Sequence, residues 1–263
     1  MRIVRVAVDG ELFYGVLEGI SAENEPTEAS LVVLVNGHPF GGLVPEGRII
    51  PLADTRLLAP VLPSKIVAVG KNYADHAKEM GGQVPASPLI FLKPSTSIIG
   101  PGESIALPWQ SENVEHEAEL AVVIGRLCSD VPVDRVQEVI LGYTCANDVT
   151  ARDLQHADGQ WSRAKGFDTF CPIGPWIETD LDVEDARITC SVDGVLRQAG
   201  STNDMVHDIA TLIAYISSIM TLIPGDVILT GTPAGVGPIV AGNNVSVAIE
   251  GIGTLTNPVV DRV

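Results

Sequence analysis

Acidic residues occupy every second position at the start of VEHEAELAVVIG, residues 114–125, where Glu115, Glu117 and Glu119 lead into the apolar run Leu120 to Ile124. Side chains of an extended chain alternate between two faces, so the three carboxylates are predicted to point the same way from a strand that enters the core. An unpaired carboxylate is costly to bury, so the row must be neutralised. Three arrangements would do this: a solvated edge-strand face, pairing with Arg or Lys, or a bound divalent cation. A second acidic position bears on the choice. Asp148 closes the apolar stretch of LGYTCANDVTARDL just before a helix start, and two adjacent strands would bring Glu117, Glu119 and Asp148 together. Three carboxylates without His or Cys suit a hard cation, Mg²⁺ or Mn²⁺, in octahedral oxygen coordination. Coordination positions would remain for water and substrate, which a catalytic metal site requires.

Other segments supply complementary groups. In GKNYADHAKEM, residues 70–80, His76 and Glu79 stand three apart and share a face if the run is helical. A histidine oriented by a carboxylate can serve as a general base near neutral pH. Cations stand at Lys93 in FLKPSTS, Arg152 in TARD and Lys165 in WSRAKGFDTF, the last in a stretch that reads as a loop. Each of them taken singly is ordinarily a solvated surface charge. GTPAGVG, residues 231–237, follows the strand-like DVILT and offers backbone N–H groups and the Thr232 hydroxyl to an anion. It is not a P-loop, because no GK[ST] follows.

Composition bounds what such a site can serve. The chain has 263 residues, 46% of them hydrophobic, with dense apolar runs that are all short, as in a globular protein of one large domain or one domain with a small partner. No stretch approaches the roughly 20 apolar residues of a membrane span, and MRIVRVAVDG does not resemble a signal peptide, so a cytoplasmic protein with no membrane partner is expected. Cys128, Cys145, Cys171 and Cys190 lack metal-ligand spacing and are expected as small buried side chains in a reducing compartment. A formal net charge of −17 argues against nucleic acid as a partner. It also means that a site for an anionic substrate must collect its own cations.

The elements that would position these groups are mainly strands. MRIVRVAV and ELFYGVLE flank the two-residue turn Asp9-Gly10, and LVVLV ends at Asn36-Gly37. Pro60 and Pro63 in LLAPVLPSK mark a boundary, giving a small β-rich N-terminal domain over residues 1–58 and a larger domain over 62–263. Beyond it, strands are predicted at KIVAVG, PLIFLK, the acidic stretch, VILGYTCAND, RITCSV with a hairpin at Asp193-Gly194, DVILTG and NVSVAIEGIGTLTNPVV. The clearest helix is predicted over 204–221, with Met205, Ile209, Leu212, Ile213, Ile216 and Met220 on one face and Asn203 or Asp204 as its cap. His207 on it is expected to be structural.

The ordered motifs KIVAVGKNYADH, FLKP, HEAELAVVIG, NDVTARD, DGQWSRAKGFDTFCPIGP and PGDVILTGTPAGVG, spread from about residue 62 to the C-terminus, resemble the fumarylacetoacetate hydrolase superfamily. The likeness is greatest to its bacterial two-part members that act as 2-hydroxyhepta-2,4-diene-1,7-dioate isomerases or oxaloacetate decarboxylases. The resemblance implies a mixed β-sandwich roll preceded by a small β-rich N-terminal domain, assembled as a homodimer. It implies that Glu117, Glu119 and Asp148 bind Mg²⁺ or Mn²⁺, with Glu115 outside the ligand set. His76 and Glu79 match the family's acid/base dyad, on a segment that can order over the substrate, and Lys165 matches its active-site lysine. Arg152, Gln155 and Thr232 match residues that hold the substrate. The substrate expected from the resemblance is a small anionic 2-oxo acid, and the same site can be read as isomerase, decarboxylase or acylpyruvate hydrolase. A metal- or ligand-binding module without turnover is the reading from another class.

Overall fold

The computed structural model describes residues 1–262. Strands predominate because the sequence is rich in short β-branched runs separated by Gly, Asp and Pro turns. The main sheet runs Val44–Pro51, Leu31–Asn36, Glu11–Glu18, Arg2–Val8, Cys171–Glu178, Ile140–Asn147, Ala118–Ile124, Val227–Leu229, Ile66–Gly70 and Leu89–Lys93. It is mixed: Val227–Leu229 pairs in parallel with Ile66–Gly70, while its other neighbour, Ala118–Ile124, is antiparallel. A second sheet runs Val195–Ser201, Arg187–Val192, Asn244–Ile249, Gly253–Asp261 and Ile105–Leu107. Leu120, Val122 and Trp176 from the main sheet and Ile188, Val247 and Leu255 from the second fill one buried cluster, which makes the two sheets a sandwich. The other face of the main sheet buries Ile66, Ala68, Val123, Ile173 and Leu229 in a smaller cluster. A mainly β protein with a mixed sandwich roll is therefore what the chain forms.

The turns fall where their chemistry places them. Asp9-Gly10 and Asp193-Gly194 both take positive φ at both residues, as a two-residue hairpin turn requires. The N-terminal strands do not build a sheet of their own. Arg2–Val8 pairs antiparallel with Cys171–Glu178, in register Arg2 with Glu178, so residues 1–51 extend the main sheet at one end.

Two local expectations need correction. The helix predicted over 204–221 spans Ile209–Ile219, capped by Asp208, whose side chain accepts from Thr211 N–H at 2.7 Å. Asp204 instead closes a capping box with Ser201 on a separate 3₁₀ turn, Thr202–Asp204. The Asn72 amide then ties down the intervening chain, accepting from His207 N–H and donating to His207 O. Lys165, read as part of a loop, ends a short helix, Ser162–Lys165. Among the described residues no helix is long and apolar enough to cross a membrane.

Candidate active site

The acidic stretch is two strands, not one. Val114–His116 belongs to a small sheet with Thr150–Ala151 and Gly237–Pro238, whereas Ala118–Ile124 belongs to the main sheet. Glu117 lies at the crossing. Its N–H donates to Asn147 Oδ1 at 2.9 Å, and its carbonyl accepts from Asp148 N–H at 2.9 Å. The stretch is thus not one continuous strand, yet its three carboxylates still project to the same side, where Arg152 bridges Glu115 and Glu117, and Glu117 and Glu119 converge. Glu115 pairs with the Arg152 guanidinium at the edge of a cavity of about 270 Å³ that Arg152, Glu117 and Glu119 line.

Asp148 reaches the same cavity from the end of Ile140–Asn147, which pairs with Ala118–Ile124 in register Ala118 with Asn147. Glu117, Glu119 and Asp148 each present a carboxylate oxygen, and the three oxygens lie within 4.8 Å of one another. All three residues are at most 4% exposed. The site that the spacing suggested is thus assembled by neighbouring strands, with its three carboxylates deeply buried at the cavity wall.

The three cations read singly as solvated charges are buried against these carboxylates instead. Lys165 Nζ donates to Glu117 Oε2 at 2.7 Å and to Asp148 Oδ2 at 2.6 Å. Lys93 Nζ donates to Asp148 Oδ1 at 2.5 Å and is 1% exposed. Arg152 donates through Nη2 to Glu117 Oε1 at 2.6 Å and through Nη1 to Gln155 Oε1 at 2.7 Å. Desolvation and pairing set the charges. Burial pushes the Glu117 carboxyl up, but Lys165 and Arg152 outweigh it and hold it well below the usual carboxylate range. Burial lowers the Lys165 ammonium, and Asp148 and Glu117 more than offset that, so its pKa is raised.

Glu119 is placed differently. It accepts from Gly231 N–H at 2.7 Å, and among the described residues no Lys or Arg pairs with it. Burial, with Asp148 and Glu117 beside it, raises its pKa well above the usual value. Gly231 has φ of +100°, and a Cβ there would meet Asn72 Cβ at 2.7 Å, so only glycine lets this N–H approach Glu119 without strain. A buried carboxylate lacking a cation, beside two others with converging oxygens, fits a divalent metal ion as its missing counter-charge.

The rim carries the remaining groups. Ala74–Glu79 is helical, so His76 and Glu79 do share a face, with His76 Nδ1 3.1 Å from Glu79 Oε2. Gly235 N–H also donates to Glu79, at 3.0 Å, which ties this helix to the GTPAGVG turn. His76 lines the cavity and is buried. Thr232 lines it too, and its Oγ1 accepts from Gln198 Nε2 at 2.7 Å. Trp161 and Phe91 form an aromatic wall, with ring centroids 5.2 Å apart at 75°. Of the nine residues that the family resemblance placed in the site, all except Glu79 line this one cavity, and Glu79 joins it through His76.

The sequence marks Lys93 only as a cation that an anion could use, and gives Asn72 and Gln198 no role. Asn72 donates to Thr230 O at 2.8 Å as well as to His207 O, fixing the approach to the His76 helix. Gln198 accepts from Ala118 N–H and His116 and donates to Thr232, linking the acidic strand to the threonine. Lys93 and Asn72 sit inside the motifs FLKP and GKNY, so their position was visible but their burial was not. Gln198 lies on a strand of the second sheet, and no local pattern marks it.

The sequence and fold match those of known proteins. The model "Fumarylacetoacetate (FAA) hydrolase C-terminal" matches residues 65–260, and "Rv2993c-like, N-terminal" matches residues 1–60. The chain is similar to the crystal structure of a 5-carboxymethyl-2-hydroxymuconate delta-isomerase from Mycobacterium smegmatis, at 53% identity, TM-score 0.92, and full coverage of both chains. It is similar to that of a 2-hydroxyhepta-2,4-diene-1,7-dioate isomerase from Mycobacterium marinum, at 51% identity and TM-score 0.92, covering 100% of this chain and 99% of the other. It is 46% identical over 197 residues to the mitochondrial oxaloacetate decarboxylase of Dictyostelium discoideum, covering 72% of this chain and 90% of that protein.

Proposed function

Because the chain belongs to the fumarylacetoacetate hydrolase family, we propose that it is a divalent-metal-dependent enzyme that enolises a 2-oxo or 2-hydroxy-dienoate dicarboxylic acid. The reaction is of the 2-hydroxyhepta-2,4-diene-1,7-dioate isomerase or oxaloacetate decarboxylase type. One observation carries the reading: a buried three-carboxylate centre and a carboxylate-oriented histidine line one cavity. A binding module would have no use for the second of these.

Glu117, Glu119 and Asp148 would hold Mg²⁺ or Mn²⁺, which when bound polarises substrate oxygens as a Lewis acid and stabilises enolate charge. The chain's own groups supply the rest. With the Nδ1 proton of His76 donated to Glu79, Nε2 carries the lone pair that takes a proton from the carbon beside the oxo group and returns it elsewhere. Lys165 uses two of its three N–H donors on Glu117 and Asp148, which leaves the third for a substrate oxyanion. Thr232 accepts from Gln198, so its own O–H is free to donate to a substrate carboxylate. Arg152 and Gln155, bonded to each other, orient the anionic substrate. A homodimer is part of the same proposal, supported by exposed Leu89 and Leu92 on the sheet-edge strand Leu89–Lys93, and sedimentation tests it.

The test is turnover of oxaloacetate, acetylpyruvate and a 2-hydroxy-dienedioate with Mg²⁺ or Mn²⁺, each against an EDTA control. Metal-dependent enolisation or decarboxylation that is lost in Glu117→Ala is expected. Preference for cleaving acetylpyruvate would move the assignment to an acylpyruvate hydrolase, and metal binding without turnover would move it to a binding module.

A further inference from the structure

We propose that Lys71 is a specificity-determining residue, which binds the carboxylate at the far end of a dicarboxylic substrate whose 2-oxo acid end occupies the acidic centre. The inference rests on the proposed function for where the 2-oxo acid end sits, and on its own observations for Lys71.

Lys71 lines the same cavity as the acidic centre, yet among the described residues it makes no ion pair. The other cavity-lining Lys and Arg, Lys165 and Arg152, are already matched to protein carboxylates. In a chain with 33 acidic residues against 16 Lys and Arg, a cavity lysine left without a carboxylate is a cation held for a ligand. Burial orders the groups along the cavity. The acidic centre is deeply buried and Lys71 is half-buried, so it stands nearer the solvent end.

The backbone holds Lys71 there at a cost. Its φ is +58°, a left-handed conformation that disfavours a long side chain by about 1 kcal/mol. The chain cannot relax it easily, because the adjacent Asn72 is clamped to Thr230 O and His207 O. The ammonium lies over the Gly81-Gly82 turn, where a Cβ built on Gly82 would be 2.8 Å from Nζ, so the absence of a side chain there makes room for it. The wall of Trp161 and Phe91 touches both ends: Phe91 has Lys165 Nζ 5.1 Å from its ring centroid, and Trp161 lies against Gly70, the residue before Lys71, so closely that a Cβ there would be 2.6 Å from its ring. A flat, unsaturated spacer with carboxylates at both ends matches this order of buried acidic centre, aromatic wall and half-buried cation.

Calorimetric titration in Mg²⁺ tests the proposal on the parent, Lys71→Gln and Lys71→Arg. The probes are oxalate, which fills only the 2-oxo acid position, 2-oxobutanoate, which has one carboxylate, and 2-oxoglutarate and 2-oxoadipate, which have two. The parent is expected to bind at least one of the dicarboxylates about tenfold more tightly than 2-oxobutanoate. Lys71→Gln should erase that preference and Lys71→Arg keep it, while oxalate affinity stays within about twofold in all three. A preference that survives Lys71→Gln, or is missing from the parent, with oxalate binding intact, overturns the role of Lys71 alone. Failure of the parent to bind oxalate overturns the proposed function and this inference with it.

Discussion

Glu115 and Glu117, two residues apart, share the guanidinium of Arg152: Nε donates to Glu115 Oε2 at 2.7 Å and Nη2 to Glu117 Oε1 at 2.6 Å. A planar fork with donors on two edges can hold both carboxylates at once, which a lysine ammonium on a flexible stem cannot do with the same geometry. This pairing is how the first two carboxylates of the row enter the core, and it leaves Glu119, among the described residues, without a cation of its own.

Removing the fork should therefore be expensive. Arg152→Leu is expected to destabilise the metal-free protein by about 3 kcal/mol, because it takes from Glu115 its cation and from the buried Glu117 one of its two. For a chain of this size that is a fall in Tm of roughly 10 °C by scanning calorimetry. Arg152→Lys should recover little of it. A Tm within about 2 °C of the parent would mean that water replaces the guanidinium.

The His76–Glu79 pair should separate binding from chemistry. His76→Gln is expected to lower kcat by about 10²–10⁴-fold while Mg²⁺ and oxalate still bind, since the side chain touches none of the three carboxylates through a hydrogen bond. Glu79→Gln should cost less, because Gly235 N–H still helps to hold the helix. Parallel loss of metal binding in His76→Gln would give the histidine a structural role instead.

The pH dependence of metal binding follows from Glu119. Burial, with Asp148 and Glu117 close by, raises its folded pKa above the unfolded value of about 4.3, so across that window the native state holds a proton that the unfolded chain has released. Stability from this group falls as pH rises through the window. A divalent cation displaces the proton, so the gain in Tm on adding Mg²⁺ is expected to grow with pH, with proton release seen by calorimetry in buffers of different ionisation enthalpy. Glu119→Gln should abolish both effects, and a Tm indifferent to EDTA and Mg²⁺ at every pH would count against the metal centre.

The cysteines should be inert in the folded protein. Burial pushes the Cys171 and Cys190 thiols up to about 12 and Cys145 higher still. Cys128 is half-buried, and burial raises its thiol too. At pH 8 a thiol reagent is expected to modify at most Cys128, and slowly, with all four reacting in guanidinium chloride. Fast native labelling of more than one would mean that the sandwich opens locally.

The sequence by itself marked the residues that line the candidate site and determined most of the elements that carry them. Turn chemistry at Asp9-Gly10 and Asp193-Gly194, the strand runs, and the spacing of His76 and Glu79 are local properties, and local sterics act the same way before and after folding. The order of motifs was legible for the same reason and carried the family. Tertiary structure decided what depends on distant partners. Alternation treats Glu115, Glu117 and Glu119 as one strand, but Asn147 on one side and Gly237–Pro238 on the other draw the two halves into different sheets. The helix expected from residue 204 begins at 209 because Ser201 captures Asp204 and Asn72 holds His207. Lys93, Arg152 and Lys165 look like surface charges one at a time. Only a fold that brings Glu117 and Asp148 to them from other strands makes burying all of them less costly than leaving the carboxylates unpaired.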